Sequence, residues 1–212
     1  MRRFIQYYRV FFISNFENLV CFVLYLAMNL SKLIIKYSQN KICTVCLSIF
    51  ESPVGKMVLA ADDEFVYLVA FEDSKNFDKM FQNLSKELSC CFVESTNNVL
   101  KLLQEELSDY FDGKAKKFSV PLKTFGSDFQ KEVWEKLIEL PYGSTQSYGD
   151  LAKAMGRSAS YARAIGAACG ANAHLIVIPC HRLVGSNNKG GFSCGINRKD
   201  WLLEHEKKNA EG

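Results

Sequence analysis

No acidic residue occurs between Leu151 and Lys199 of this 212-residue chain. The same window carries Lys153, Arg157, Arg163, Arg182, Lys189, Arg198 and Lys199. An uninterrupted run of one sign predicts a basic field suited to a polyanion. Histidine is scarce as well, with only His174, His181 and His205. The Cys43-Thr-Val-Cys46 pair and Cys90-Cys91 therefore have no nearby imidazole to complete a mixed zinc site, and Cys43 to Phe50 reads instead as a strand. The eight cysteines are irregularly spaced and no secretory cleavage pattern precedes them, so the expectation is reduced thiols in a cytosolic or nuclear protein. No apolar run reaches the ~20 residues that span a bilayer. The strongest, Asn18 to Met28, is flanked by Arg2, Arg3 and Arg9 and interrupted by Asn29, Ser31 and Lys32. Residues 1–41 are read as an accessory extension in preference to a membrane anchor. Repeats and low-complexity tracts are missing too.

What is present falls into two halves. Lys56 to Ala60 and Phe65 to Phe71 are strand-like runs joined by a polar "ADDE" connection, and with Cys43 to Phe50 they predict a small antiparallel sheet. Phe77, Met80, Phe81, Leu84 and Leu88 keep helical spacing, and so do Leu100, Leu103, Leu107 and Phe111. Lys116 to Thr124 is an extended link. Beyond it, Phe129, Val133, Trp134, Leu137 and Leu140 line a helix stopped by Pro141-Tyr-Gly143. A short helix with Leu151, Ala152 and Met155 ends at Gly156, and Ser158 or Ser160 can cap a second helix bearing Tyr161, Arg163 and Ile165. Two short helices around a glycine turn predict a helix-turn-helix. The second helix is built from small residues, Ala162, Ala164, Gly166, Ala167, Ala168 and Gly170, with Arg163 its one long cation. Its backbone can approach a partner closely, which fits a minor groove read by shape and charge.

The stretch Leu175 to Gly185, "LIVIPCHRLVG", runs four aliphatics into Pro179 and then presents Cys180, His181 and Arg182. It reads as a buried strand that ends in a thiol beside an imidazole. A free thiol is only a few per cent thiolate near neutral pH and needs a base. Strand neighbours point to opposite faces, so His181 would reach Cys180 through a water. Glu204 and Glu206 on the C-terminal helix are candidates to orient that imidazole, and Asn172 can bond main-chain groups of the intervening turn.

Taken in order, "FQKEVWEKLIELPYGSTQSYGDLAKAMG", "ARAIGAACGAN", "IPCHRLVG" and "INRKDWLLEHE" resemble the O6-alkylguanine-DNA alkyltransferases, from about Cys43 to Lys208 and most strongly from Phe129 onward. The resemblance implies a ribonuclease-H-like α/β domain (42–124) followed by a helical, winged-helix-like domain with the helix-turn-helix (125–212). It implies that the protein flips O6-alkylguanine, and also O4-alkylthymine, out of duplex DNA and takes the alkyl group irreversibly onto Cys180, once per molecule. His181 would be the water-relayed base, Glu206 its orienting carboxylate and Asn172 the support of the turn. Arg163 would fill the vacated base position, with Ser160, Ala162 and Ala164 against the DNA. Tyr148 would donate to N3 of the flipped base, the carbonyls of Cys180 and Leu183 would accept from its amino group, and the Ser193 N–H would bond O6, with Phe192 and Cys194 completing the pocket loop. The resemblance implies no cofactor or catalytic metal and a monomer with no obligate protein partner. Two positions depart from the family: Cys194 stands where members carry glycine, and Gly170 where some carry a basic residue. Two rival readings are a lesion sensor that binds without transfer, whose known forms lack the acceptor cysteine, and a Cys-His-Glu hydrolase, which leaves the small-residue helix unexplained.

Overall fold

The computed structural model describes residues 30–39, 43–186 and 188–210. The apolar run Asn18 to Met28 lies outside them. Among the described residues no helix is long and apolar enough to cross a membrane.

The first half is a four-stranded sheet in the order β3-β2-β1-β4, formed by β1 (Thr44–Ser52), β2 (Gly55–Ala61), β3 (Val66–Phe71) and β4 (Cys91–Glu94). The expected antiparallel strands β1, β2 and β3 are present, but β4 joins β1 in parallel, so the sheet is mixed. Parallel pairing needs a long crossover, and helix α2 (Phe77–Leu88) supplies it. The "ADDE" hairpin closes as its composition suggests, with Asp62 Oδ1 accepting from the Glu64 and Phe65 N–H groups. Every residue of β3 is buried although it ends the sheet. Its open edge is covered by the link, which bonds Val66 through Pro121 and Lys123, and by Ala173 and Leu175, which bond Val69. Helix α3 (Asn98–Phe111), capped by the Asn97 side chain, packs Leu100, Leu103, Leu107 and Tyr110 inward.

Part of the segment read as an accessory extension belongs to this domain. Helix α1 (Leu30–Tyr37) buries Leu30, Leu33 and Tyr37. Ser38 Oγ accepts from the Phe92 N–H (2.9 Å), and the Gln39 N–H donates to the Cys90 carbonyl (2.8 Å), so the chain entering β1 lies beside β4. The boundary at residue 41 therefore falls inside a packed unit. With five apolar residues among eight and barely two turns, LSKLIIKY is too short for a periodicity that would reveal this.

The second half is helical. Helix α4 (Asp128–Ile138) starts with a complete capping box between Ser127 and Gln130. Helix α5 (Tyr148–Ala154) ends at Gly156, whose φ of 69° is the left-handed conformation that glycine adopts without cost. A 3₁₀ turn (Ala159–Tyr161), capped by Ser158, leads into α6 (Ala162–Gly170). This is the expected helix-turn-helix. It is fixed to α4 by the Arg157 guanidinium on Glu132 and by Trp134 Nε1 donating to the Ala168 carbonyl (3.0 Å). The short parallel pair β5 (Gln146–Ser147) and β6 (Leu183–Val184) ties the start of α5 to the chain after Cys180, and α7 (Ile196–Ala210) closes the domain.

The stretch Leu175 to Ile178 is not a strand. It is a tight turn in which the Ile178 N–H returns to the His174 carbonyl (2.8 Å), with buried Ile176 at φ 74°. Four consecutive aliphatics report burial but not conformation, because burial dictates apolarity in a turn as well.

Candidate active site

Cys180 opens a 3₁₀ turn (Cys180–Arg182) and is 3% exposed. The turn is held from within by Asn172, itself fully buried. Its amide nitrogen donates to the Ile178 carbonyl (2.9 Å) and lies 3.3 Å from Cys180 Sγ, while its oxygen accepts from the His174 N–H (2.9 Å). One side chain thus fixes both the backbone before the thiol and the sulfur. Burial pushes the Cys180 thiol up to about 11, against the Asn172 hydrogen bond that favours thiolate. The resting group is a thiol, and reaction requires that its proton be taken.

His181 and Glu206 are both fully buried, with imidazole Nε2 donating to Glu206 Oε1 at 2.7 Å. Glu206 also accepts from Arg182 Nε (2.8 Å) and Nη2 (3.0 Å), from the Tyr110 hydroxyl (2.9 Å) and from the Gly143 N–H (3.0 Å). Burial alone would raise this carboxyl, but the donors from His181 and Arg182 overcome it and hold it near about 2. Arg182 is the permanent cation of the cluster, so the carboxylate is neutralised without a charged imidazole. Burial accordingly lowers His181 despite the carboxylate beside it. A neutral ring that donates from Nε2 keeps its lone pair on Nδ1, and Nδ1 is buried without a hydrogen-bond partner among the described residues. The site contains an unspent base. Glu204, the other candidate orienting group, is exposed.

A cavity of about 400 Å³ opens over Cys180. Ala162, Gly166, Cys169 and Gly170 of α6 form one wall, Tyr148 and the Gly191 to Ser193 loop form another, and Asn76 stands at the rim. Burial raises the Tyr148 phenol to about 12, which keeps it a donor near neutral pH. Cys194 is buried with Ser193 Oγ 3.5 Å from its sulfur, and burial raises its thiol. Arg163, Ser160 and Ala164 are exposed around the outer face of α6, whereas Ala162 reaches the cavity.

Several functional side chains escaped the sequence reading. Lys199 is fully buried, and its ammonium donates to the Leu183 carbonyl (2.5 Å) and the Gly191 carbonyl (3.2 Å), pinning the pocket loop to β6. The Leu183 carbonyl expected to receive a base amino group thus already carries one bond. Lys199, Leu202 and Glu206 share the i, i+3, i+7 face of α7, and that register was the available signal. Arg198 donates to the Val54 carbonyl (2.6 Å), both Asp73 oxygens (2.8 Å each) and the Cys194 carbonyl (3.1 Å), joining the sheet domain to the loop.

The basic field predicted from the acid-free window is largely neutralised in space. Lys153 pairs with Asp150, Arg157 with Glu132, Arg182 with Glu206, Lys189 with Asp200 and Arg198 with Asp73. Lys199 is buried on carbonyls. Arg163 alone of the seven is exposed with no ionic partner among the described residues.

Two family models match: the 6-O-methylguanine DNA methyltransferase ribonuclease-like domain over residues 45–124, and the DNA binding domain of the same proteins over residues 128–208. A methylated-DNA–protein-cysteine methyltransferase of Methanosarcina acetivorans is 38% identical over 160 residues, covering 75% of this chain and 96% of that protein. The inducible Bacillus subtilis methylated-DNA–protein-cysteine methyltransferase is 38% identical over 136 residues, covering 64% of this chain and 75% of that protein. The crystal structure of Mycobacterium tuberculosis O6-methylguanine methyltransferase superposes with a TM-score of 0.66 at 33% identity, over 78% of this chain and 94% of that one. A structure of the Mycobacterium tuberculosis protein in complex with DNA has the same TM-score and coverage at 31% identity.

Proposed function

The chain belongs to the O6-methylguanine-DNA methyltransferase family and shares its activity, transfer of an alkyl group from damaged DNA to a protein cysteine, and we propose that Cys180 is the acceptor. The observation that carries this assignment is the buried arrangement of Cys180 held by Asn172 with the unpartnered Nδ1 of His181 beside it in sequence and Glu206 fixing the opposite nitrogen. His181 Nδ1 takes the thiol proton through a bridging water. The thiolate attacks the alkyl carbon in line with the bond to O6, the S–C bond forms, the C–O6 bond breaks, and the electron pair leaves on the base. Tyr148, a phenol held protonated, donates to the base as that charge develops. The proton that His181 took from the thiol passes back to the restored guanine, which stays bonded to the DNA, so the reaction balances without a cofactor. The thioether has no leaving group that water at this site could displace, and activity stops after one equivalent.

A target carbon inside a duplex cannot reach the sulfur of a cysteine that is 3% exposed, so the nucleotide must be turned out into the cavity of about 400 Å³. Arg163, with no acidic partner among the described residues, is the side chain proposed to occupy the gap in the stack, and O4-alkylthymine is proposed as a second substrate of the same pocket. Incubation with a duplex containing O6-methylguanine followed by intact-protein mass tests the assignment. The mass is expected to rise by a single methyl group that maps to Cys180, with Cys180→Ser unmodified. Methyl on Cys194 or Cys169 alone, or multiple turnovers by unmodified protein, overturns it.

A further inference from the structure

Beside the cavity over Cys180, across the hydrogen-bonded Asn76–Gly170 pair that lines both, lies a second groove of about 340 Å³. One wall is the end of α6, where Ala167, Gly170 and Ala171 carry almost no side chain. The facing wall is α2 of the sheet domain, which contributes Lys79 and Asn83. Asn76 spans the seam, its amide donating to the Gly170 carbonyl at 3.1 Å, so the two walls keep a fixed spacing. The groove has no acidic lining residue. Asp78, the acid next to Lys79 in sequence, is engaged by Lys36 (3.0 Å) and the Tyr37 hydroxyl (2.7 Å) of α1. Lys79 itself is exposed and has no partner among the described residues. This contrasts with the acid-free window, where most cations are already paired.

We propose that this groove is a second duplex-DNA contact, supplied by the sheet domain, in which the sugar-phosphate backbone leaving the end of α6 runs between the two walls and Lys79 neutralises one phosphate. The inference rests on the reading that α6 faces DNA. A wall of small residues permits close approach of a backbone, a wall with an unpaired ammonium supplies the counter-charge, and the shared Asn76–Gly170 border sets the groove next to the alkyl-acceptor cavity at the end of α6. Asn83 offers an amide N–H to the same stretch.

The test measures binding of a fluorescent duplex containing O6-methylguanine by anisotropy across a salt series, in full chains that all carry Cys180→Ser to prevent transfer. Each phosphate contact contributes about 0.9 to the slope of log K against log salt. Lys79→Ala is expected to lose that increment, so the parent's advantage over it shrinks by about three- to fourfold from about 50 to about 200 mM salt. Lys79→Gln, which keeps the apolar stem, is expected to match Lys79→Ala, and Lys79→Glu to lose more. Lys101→Ala on α3, away from the groove, is expected to keep the parent slope. If the parent binds and the Lys79 variants share its affinity and slope, the second contact is refuted while the reading of α6 stands. If the parent binds no duplex, that reading fails and this contact falls with it.

Discussion

At the scale of single residues, Glu206 decides both stability and chemistry. It is written in the family pattern as the partner of His181, yet three of its five hydrogen bonds come from Arg182 and Tyr110. Glu206→Gln is therefore expected to cost more than an orienting contact, because it leaves the Arg182 guanidinium buried without its counter-ion. The expected loss is about 3 kcal/mol in urea unfolding, together with slower single-turnover transfer. A slow but fully stable variant would show that the Leu140 carbonyl and the Tyr142 ring suffice to hold Arg182 without the carboxylate. His174 gives a cleaner pH signal. Burial, opposed only by the Val66 carbonyl at 3.1 Å, lowers it from 6.5 to about 4. Below pH 6.5 the unfolded chain takes up a proton that the folded chain refuses until about pH 4, so stability falls with falling pH across that window. Between pH 7 and pH 5 the loss from this group alone is about 2 kcal/mol. His174→Gln should flatten that part of the unfolding profile, and an unchanged profile would remove His174 as its source. Of the residues the sequence grouped with Cys180, Asn172 comes within 3.3 Å of its sulfur, while His181 bonds Glu206. Residue types alone left Glu204 and Glu206 open and the family resemblance chose Glu206, because only the register of α7 on the core separates an exposed carboxylate from a buried one.

At the scale of elements, α1 shows how little sequence signal a docked helix needs. Three buried side chains, Leu30, Leu33 and Tyr37, and the adjoining bonds from residues 38 and 39 cover the flank of β4, which otherwise ends the sheet. Two truncations separate α1 from the chain before it. A chain starting at residue 42 is expected to be about 3 kcal/mol less stable than one starting at residue 30, and to aggregate through the uncovered strand. Equal stability and solubility of the two would return residues 30–39 to an accessory role. The turn before Cys180 failed differently. Its aliphatics were read correctly as buried and wrongly as extended, since the conformation is set by Asn172 and by pairing with β3, contacts that sequence periodicity does not encode. The helix-turn-helix was legible because its caps and glycine are local signals, all within a few residues of the backbone they shape.

At the scale of the whole molecule, the two domains are joined at the chemistry as well as by the covalent link. Arg198 holds Val54, Asp73 and the Cys194 carbonyl at once. Arg198→Ala should lower the melting temperature and slow alkyl transfer to free O6-benzylguanine, a substrate that needs no DNA grip. Slowing confined to duplex substrate would place its role at the DNA surface instead. Long-range pairing also explains why the acid-free window misled: Glu132 and Asp73 lie outside it in sequence and against it in space. Charge segregation along a chain survives folding only where no distant acid packs against it, and Arg163 is where it survives.

The placement of Glu206 on α7, after the thiol in chain order, also has a consequence for biosynthesis. A chain emerging from the ribosome presents the sheet domain, then the helix-turn-helix, then Cys180, before the carboxylate that orients His181 exists. Until α7 docks, the imidazole has no fixed partner and the thiol no aligned proton acceptor. On the proposed roles, transfer from a lesion becomes possible only when α7, the last helix to be made among the described elements, gives His181 its carboxylate.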